Sequence, residues 1–85
     1  MNTDKAQVEA KITEALREAL DDPDNGAEEA LKHAVDVVKQ AFDIPCTYGY
    51  CGGFDSPGYD IDCYAIAYVT KAGELGIYSY EHETY

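Results

Sequence analysis

The chain has 85 residues, with 17 Asp and Glu against 6 Lys and Arg, a formal net charge of -11. That length holds one small domain and excludes an enzyme built from separate cofactor and substrate domains. The charge excludes nucleic-acid binding by phosphate neutralisation and adsorption to an anionic membrane, while 46% apolar content is that of a globular chain.

The first predicted element is a helix over about residues 4–20, because Val8, Ile12, Ala15, Leu16, Ala19 and Leu20 fall on one apolar stripe. Thr3 or Asp4 can cap its start, and the run Asp21-Asp22-Pro23-Asp24-Asn25-Gly26 ends it. A second helix is expected over about residues 25–42, on the stripe Ala27, Ala30, Leu31, Ala34, Val35, Val38, Ala41 and Phe42. Asn25 with Glu28 resembles a capping box, and Asp22 before Pro23 is a competing start. A short acidic turn between two amphipathic helices predicts an antiparallel hairpin.

Composition changes near residue 44: all eight tyrosines lie beyond it. Strands are expected over about residues 44–51, 59–70 and 74–81, because the β-branched and aromatic residues cluster there. Gly52 to Gly58 reads as the first loop, and Lys71-Ala72-Gly73 as a three-residue hairpin loop with Gly73 at positive φ. The predicted fold is α+β, one domain over residues 1–85, with the helix hairpin packed on one face of a three-stranded antiparallel sheet in the order ααβββ.

Period-two alternation divides the central strand. One face carries Ile61, Cys63, Ala65, Ala67 and Val69; the other carries Asp60, Asp62, Tyr64, Ile66, Tyr68 and Thr70. Aspartates are costly in a core, so the first face, with Leu75 and Ile77, is expected under the helices. The second face is then open to solvent. It would combine Tyr48, Tyr50, Tyr64, Tyr68, Tyr78 and Tyr80 with Asp60, Asp62 and Glu74 as one contact surface. Asp21, Asp22, Asp24, Glu28 and Glu29 at the helix turn form a second candidate patch.

Other chemistry finds little support. Cys46, Cys51 and Cys63 with His82 lack the C-x2-C spacing of a zinc knuckle, and an odd cysteine count is a poor disulfide framework. Cys51 before Gly52-Gly53 has no nearby cation to lower its pKa as a nucleophile. Asp60 and Asp62 with Asp55 or Glu74 are a thin ligand set for a hard cation. The glycines at 49, 52, 53 and 58 lack the Lys and the following helix of a phosphate loop. His33 is expected on the solvated face of the second helix. No catalytic residue, metal site or cofactor is expected, and the chain reads as a non-enzyme.

The chain opens Met-Asn-Thr-Asp, without a basic and apolar leader, and holds no apolar run of membrane-spanning length, so a cytoplasmic protein is expected. A small domain needs a net charge of only about 2–8 for solubility. The excess self-repels, and it speeds association with a basic partner. The expected function is inhibition of another protein by occlusion of its basic nucleic-acid-binding site, with carboxylates imitating phosphates. In size, acidity and tyrosine content the chain is similar to small phage-encoded anti-defence proteins, such as anti-CRISPR or anti-restriction inhibitors, which act in the cytoplasm of a bacterial host. No motif carries that likeness. Alternatives are an immunity protein or antitoxin against a nuclease toxin, and a homodimeric assembly protein joined through the Tyr-rich face.

Overall fold

The computed structural model describes residues 4–84. Helix α1 spans Lys5–Leu20 and helix α2 spans Ala27–Phe42. Strands β1 (Cys46–Ser56), β2 (Tyr59–Val69) and β3 (Leu75–Thr84) follow. They form one antiparallel sheet in the order β1-β2-β3, with the helix pair on one face. The predicted ααβββ fold is therefore the observed one.

Local chemistry sets the ends of the helices. Asp4 caps α1, accepting from the Gln7 amide at 2.9 Å, while the Gln7 side chain accepts from the Asp4 amide. Thr3, the other candidate cap, lies outside the described residues. Helix α2 starts later than either predicted cap: Gly26 is its N-cap, and the Glu29 carboxylate accepts from the Gly26 amide at 3.1 Å. Asn25 instead closes the preceding helix, its Nδ2 donating to the Ala19 carbonyl at 2.8 Å. The helices then meet along the predicted stripes, with Val8, Ile12, Ala30, Leu31, Ala34 and Val38 fully buried.

The sheet departs from expectation in two ways. Where the helices cover it, its faces are the reverse of those predicted, whereas beyond them Asp60 is exposed and Ile61 is buried, 7% exposed, as expected. Tyr68 is 1% exposed and Ile66 is fully buried, both in the core, while Tyr48, Tyr64, Tyr78 and Tyr80 pack half-buried against the same cluster. Leu75 and Ile77, expected in the core, are 61% and 59% exposed. Tyrosine suits the helix side because its hydroxyl reaches polar groups on α1. Tyr68 donates to the Glu9 carboxylate at 2.8 Å, and Tyr78 shares a hydrogen bond with the Thr13 hydroxyl at 2.9 Å. The Tyr68 ring also lies on Gly76 of β3, where a Cβ would overlap it.

The first strand is also longer than expected. Predicted loop residues 52–56 continue β1, and Pro57-Gly58 alone turns the chain, with Gly58 at φ 90°. A β-bulge between Tyr50 and Gly52 leaves Cys51 unpaired in the register. The bulge keeps Gly53 and Asp55 on the same face as Tyr48 and Tyr50, and puts Phe54 on the uncovered face.

Candidate functional site

A helix rises 1.5 Å per residue and a strand about 3.3 Å. The 16-residue helices therefore cover roughly 24 Å of strands that run roughly 36 Å over 11 residues. Contacts locate the uncovered part. Glu9 meets Tyr68, Thr13 meets Tyr78, and Leu20 and Asp21 line a groove with Tyr78 and Tyr80. The α1–α2 turn thus ends level with Tyr50, Tyr64 and Tyr80, which face one another across the three strands. Beyond this rung the strand ends project without helix above them, and the molecule is 46 Å long by 23 Å by 16 Å.

The rung is aromatic. Tyr50 and Tyr64 meet edge to face at 5.3 Å between centroids, Tyr64 and Tyr80 lie 6.5 Å apart, and the Tyr80 hydroxyl is hydrogen-bonded to His82 Nδ1 at 2.8 Å. Tyr50, 61% exposed, donates its hydroxyl to Asp62 at 3.2 Å, arching over Gly53, where a Cβ would strike both side chains and the Ile61 carbonyl.

Past the rung, Asp55, Asp60 and Asp62 share the helix-side face of the projecting sheet, and Glu81 and Glu83 occupy its other face. Asp60 and Asp55 face each other across the strands, and their hydrogen bond raises the Asp60 pKa, helped by the charges of Asp55 and Asp62. Burial lifts the Tyr64 pKa first, and the charges of Asp62 and Glu28 lift it further. One tyrosine thus lies within the field of both predicted patches. The helix turn, with Asp21, Asp22, Asp24, Glu28 and Glu29, ends the helix layer at the rung, beside the projecting sheet with Asp60 and Asp62. The two candidate patches are one acidic pole, a wall and a floor.

The other predicted contact residues are placed differently. Tyr68 is buried, and Tyr48, Tyr64, Tyr78 and Tyr80 serve the core, so the proposed Tyr-rich contact surface does not exist as drawn. The helices cover the part of that face that holds Tyr48, Tyr68 and Tyr78. Glu74 lies at the opposite end, in the β2–β3 turn. Asp60, Asp62 and Tyr50 remain accessible. Asp55, Glu81 and Glu83 belong to the pole and were not among the expected contacts. Comparing strand length with helix length is the signal that finds them.

Cys46, Cys51 and Cys63 are free thiols, and burial pushes the Cys46 thiol up. His33 lies 3.8 Å from Glu18 on the exposed helix surface. Among the described residues no three His, Cys, Asp or Glu side chains converge as metal ligands, and no helix is long and apolar enough to cross a membrane.

The charge is distributed unevenly. Cutting across the middle of both helices leaves twelve acids against Arg17 and Lys32 in the half that holds the pole, a net charge of -10. The other half holds five acids against four lysines, a net charge of -1. No protein-family model, curated protein or solved structure matches the chain.

Proposed function

We propose that this protein is a small acidic inhibitor whose acidic pole enters a basic nucleic-acid-binding site of another protein and occludes it, without chemistry. The concentration of -10 in one half of the molecule is the observation that carries this reading. A field so polarised orients the molecule on approach to a basic cleft as well as attracting it. The shape supports the same reading. The projecting sheet is a thin blade with carboxylates on both faces, and Asp60 and Asp62 are spaced by two strand residues, roughly 7 Å, near the spacing of successive phosphates on one strand. Its rung of tyrosines supplies rigid amphipathic contact area beside the charge. The partner is then a basic nucleic-acid-binding protein, and nucleic acid itself is not a ligand. A phage-encoded anti-defence protein, anti-CRISPR or anti-restriction in type, acting in the cytoplasm of a bacterial host, fits this mode. An immunity protein covering a nuclease toxin would use the same surface.

The test captures partners from host lysate at low salt and then challenges the complex. A short DNA or RNA duplex should displace the inhibitor, and the variant carrying Asp60→Lys and Asp62→Lys should bind about 100-fold more weakly or worse. A partner without nucleic-acid function, or a complex indifferent to both the duplex and the charge reversal, overturns the reading.

A further inference from the structure

The β-bulge brings two cysteines together where the acidic blade leaves the core. Tyr50 pairs with Tyr64 and Gly52 pairs with Cys63, so the extra residue, Cys51, shares with Gly52 the position opposite Cys63. In such a bulge both residues of the longer strand stay about as far from the opposing one as an ordinary pair, roughly 5–6 Å between Cα atoms, inside the span that a disulfide bridges. Both thiols belong to the sheet face away from the helices. Cys51 follows the helix-side Tyr50, and Cys63 stands between the helix-side Asp62 and Tyr64. Cys51 is exposed and Cys63 is half-buried. The space beside them is open: a Cβ on Gly52 would meet no atom of another strand within 4 Å. Gly52, at φ 115°, also supplies the backbone freedom that the bulge needs. The third cysteine, Cys46, is buried in the core under the helices.

We infer that Cys51 and Cys63 are a reversible redox pair, which closes to a disulfide across the bulge on exposure to a low-molecular-weight disulfide and thereby stiffens the acidic blade. The exposed Cys51 gives up its proton and attacks one sulfur of the oxidant, releasing the other half as a thiolate. Cys63 then gives up its proton and attacks the Cys51 sulfur of the mixed disulfide, releasing the second half. The two protons end on the two released thiols, so the chain loses two hydrogens and the oxidant is reduced to two thiols. The new bond pins β1 to β2 on the face opposite the Tyr50–Tyr64 contact. It closes a loop of about a dozen residues that holds Asp55, Asp60 and Asp62, and so restricts the opening of the blade while leaving its carboxylates in place. In a reducing compartment the pair stands open, as in the structure.

Oxidised glutathione is the probe. Added in excess to the dilute, reduced chain, it should remove two hydrogens from the intact mass, and digestion without reductant should give one cross-linked pair holding Cys51 and Cys63. Dithiothreitol should reverse the change. Cys46→Ala should leave the bridge in place. Cys63→Ala should stop the reaction at a glutathione adduct on Cys51, and Cys51→Ala should give no bridge. Hydrogen exchange of the amides from Tyr59 to Cys63 should slow roughly tenfold or more in the oxidised chain. An oxidised chain that keeps its three thiols free, a bridge that includes Cys46, or a dimer bridged through Cys51 alone overturns the inference. So does a Cys51–Cys63 bridge that leaves exchange from Tyr59 to Cys63 unchanged. The inference does not rest on the occlusion reading: Asp60→Lys with Asp62→Lys should still form the bridge.

Discussion

Tyr68 joins three parts of the molecule. Its ring packs on Gly76 of β3, its body fills the core, and its hydroxyl donates to Glu9 of α1. Burial, then the bond to Glu9, holds its pKa well above the usual tyrosine range. Tyr68→Phe keeps the ring and leaves Glu9 without its donor, so urea unfolding should show a loss of about 1–2 kcal/mol at neutral pH. The sign with pH follows from the raised pKa. The contribution is whole below the ordinary tyrosine range and is lost as pH rises through the folded-state value. Wild type should therefore lose stability in strong alkali more steeply than Tyr68→Phe. The helix stripes, from Val8 to Val38, are legible in the sequence because every buried position there is aliphatic. Tyr68 is not, because a tyrosine reads equally well as a surface residue until a hydroxyl partner such as Glu9 is known.

At the scale of the strand, Asp60 and Asp62 explain how the faces reverse. Their charge rightly places them in water, and alternation extends that reading along β2 to Tyr64, Ile66 and Tyr68. The extension fails because the helices end at the tyrosine rung, so one face of one strand is solvated at Asp60 and buried at Ile66. The bulge at Cys51 is equally hidden, since no residue type announces an extra residue inside a glycine-rich stretch. The order ααβββ needed neither detail, and the acidic pole needed both. The Asp55–Asp60 contact gives a prediction of its own. Because the Asp60 pKa is raised, its contribution to stability is present below the usual aspartate range and lost as pH rises through the folded-state value. Asp60→Asn should flatten that fall in thermal midpoint between acid and neutral pH, and at pH 7 should match or exceed wild type. A midpoint clearly below wild type at pH 7 would show that the carboxylate has a stabilising partner.

For the whole molecule, the uneven charge matters more than its total. A half carrying -10 repels itself, and only Arg17 and Lys32 lie there to relieve it. Salt should therefore raise the thermal midpoint of the free protein by several degrees between about 20 mM and about 500 mM, as the Debye length shrinks from roughly 20 Å to roughly 4 Å. Calorimetry across that range checks it, and a flat or falling midpoint would mean the carboxylates are held by compensating contacts. Binding to a basic partner should respond to salt with the opposite sign.

The length by which the strands outrun the helices also grades the molecule by local opening. Amides of β2 from Tyr64 to Val69 lie under the core, and exposing them requires most of the fold to come apart. Those from Tyr59 to Cys63 belong to a sheet segment with no helix above it, and a smaller excursion frees them. The acidic blade is thus the part of the chain that can adjust its shape without disturbing what holds the rest together. A partner that closes on it would return that freedom as order, and the protection of those amides would rise with binding.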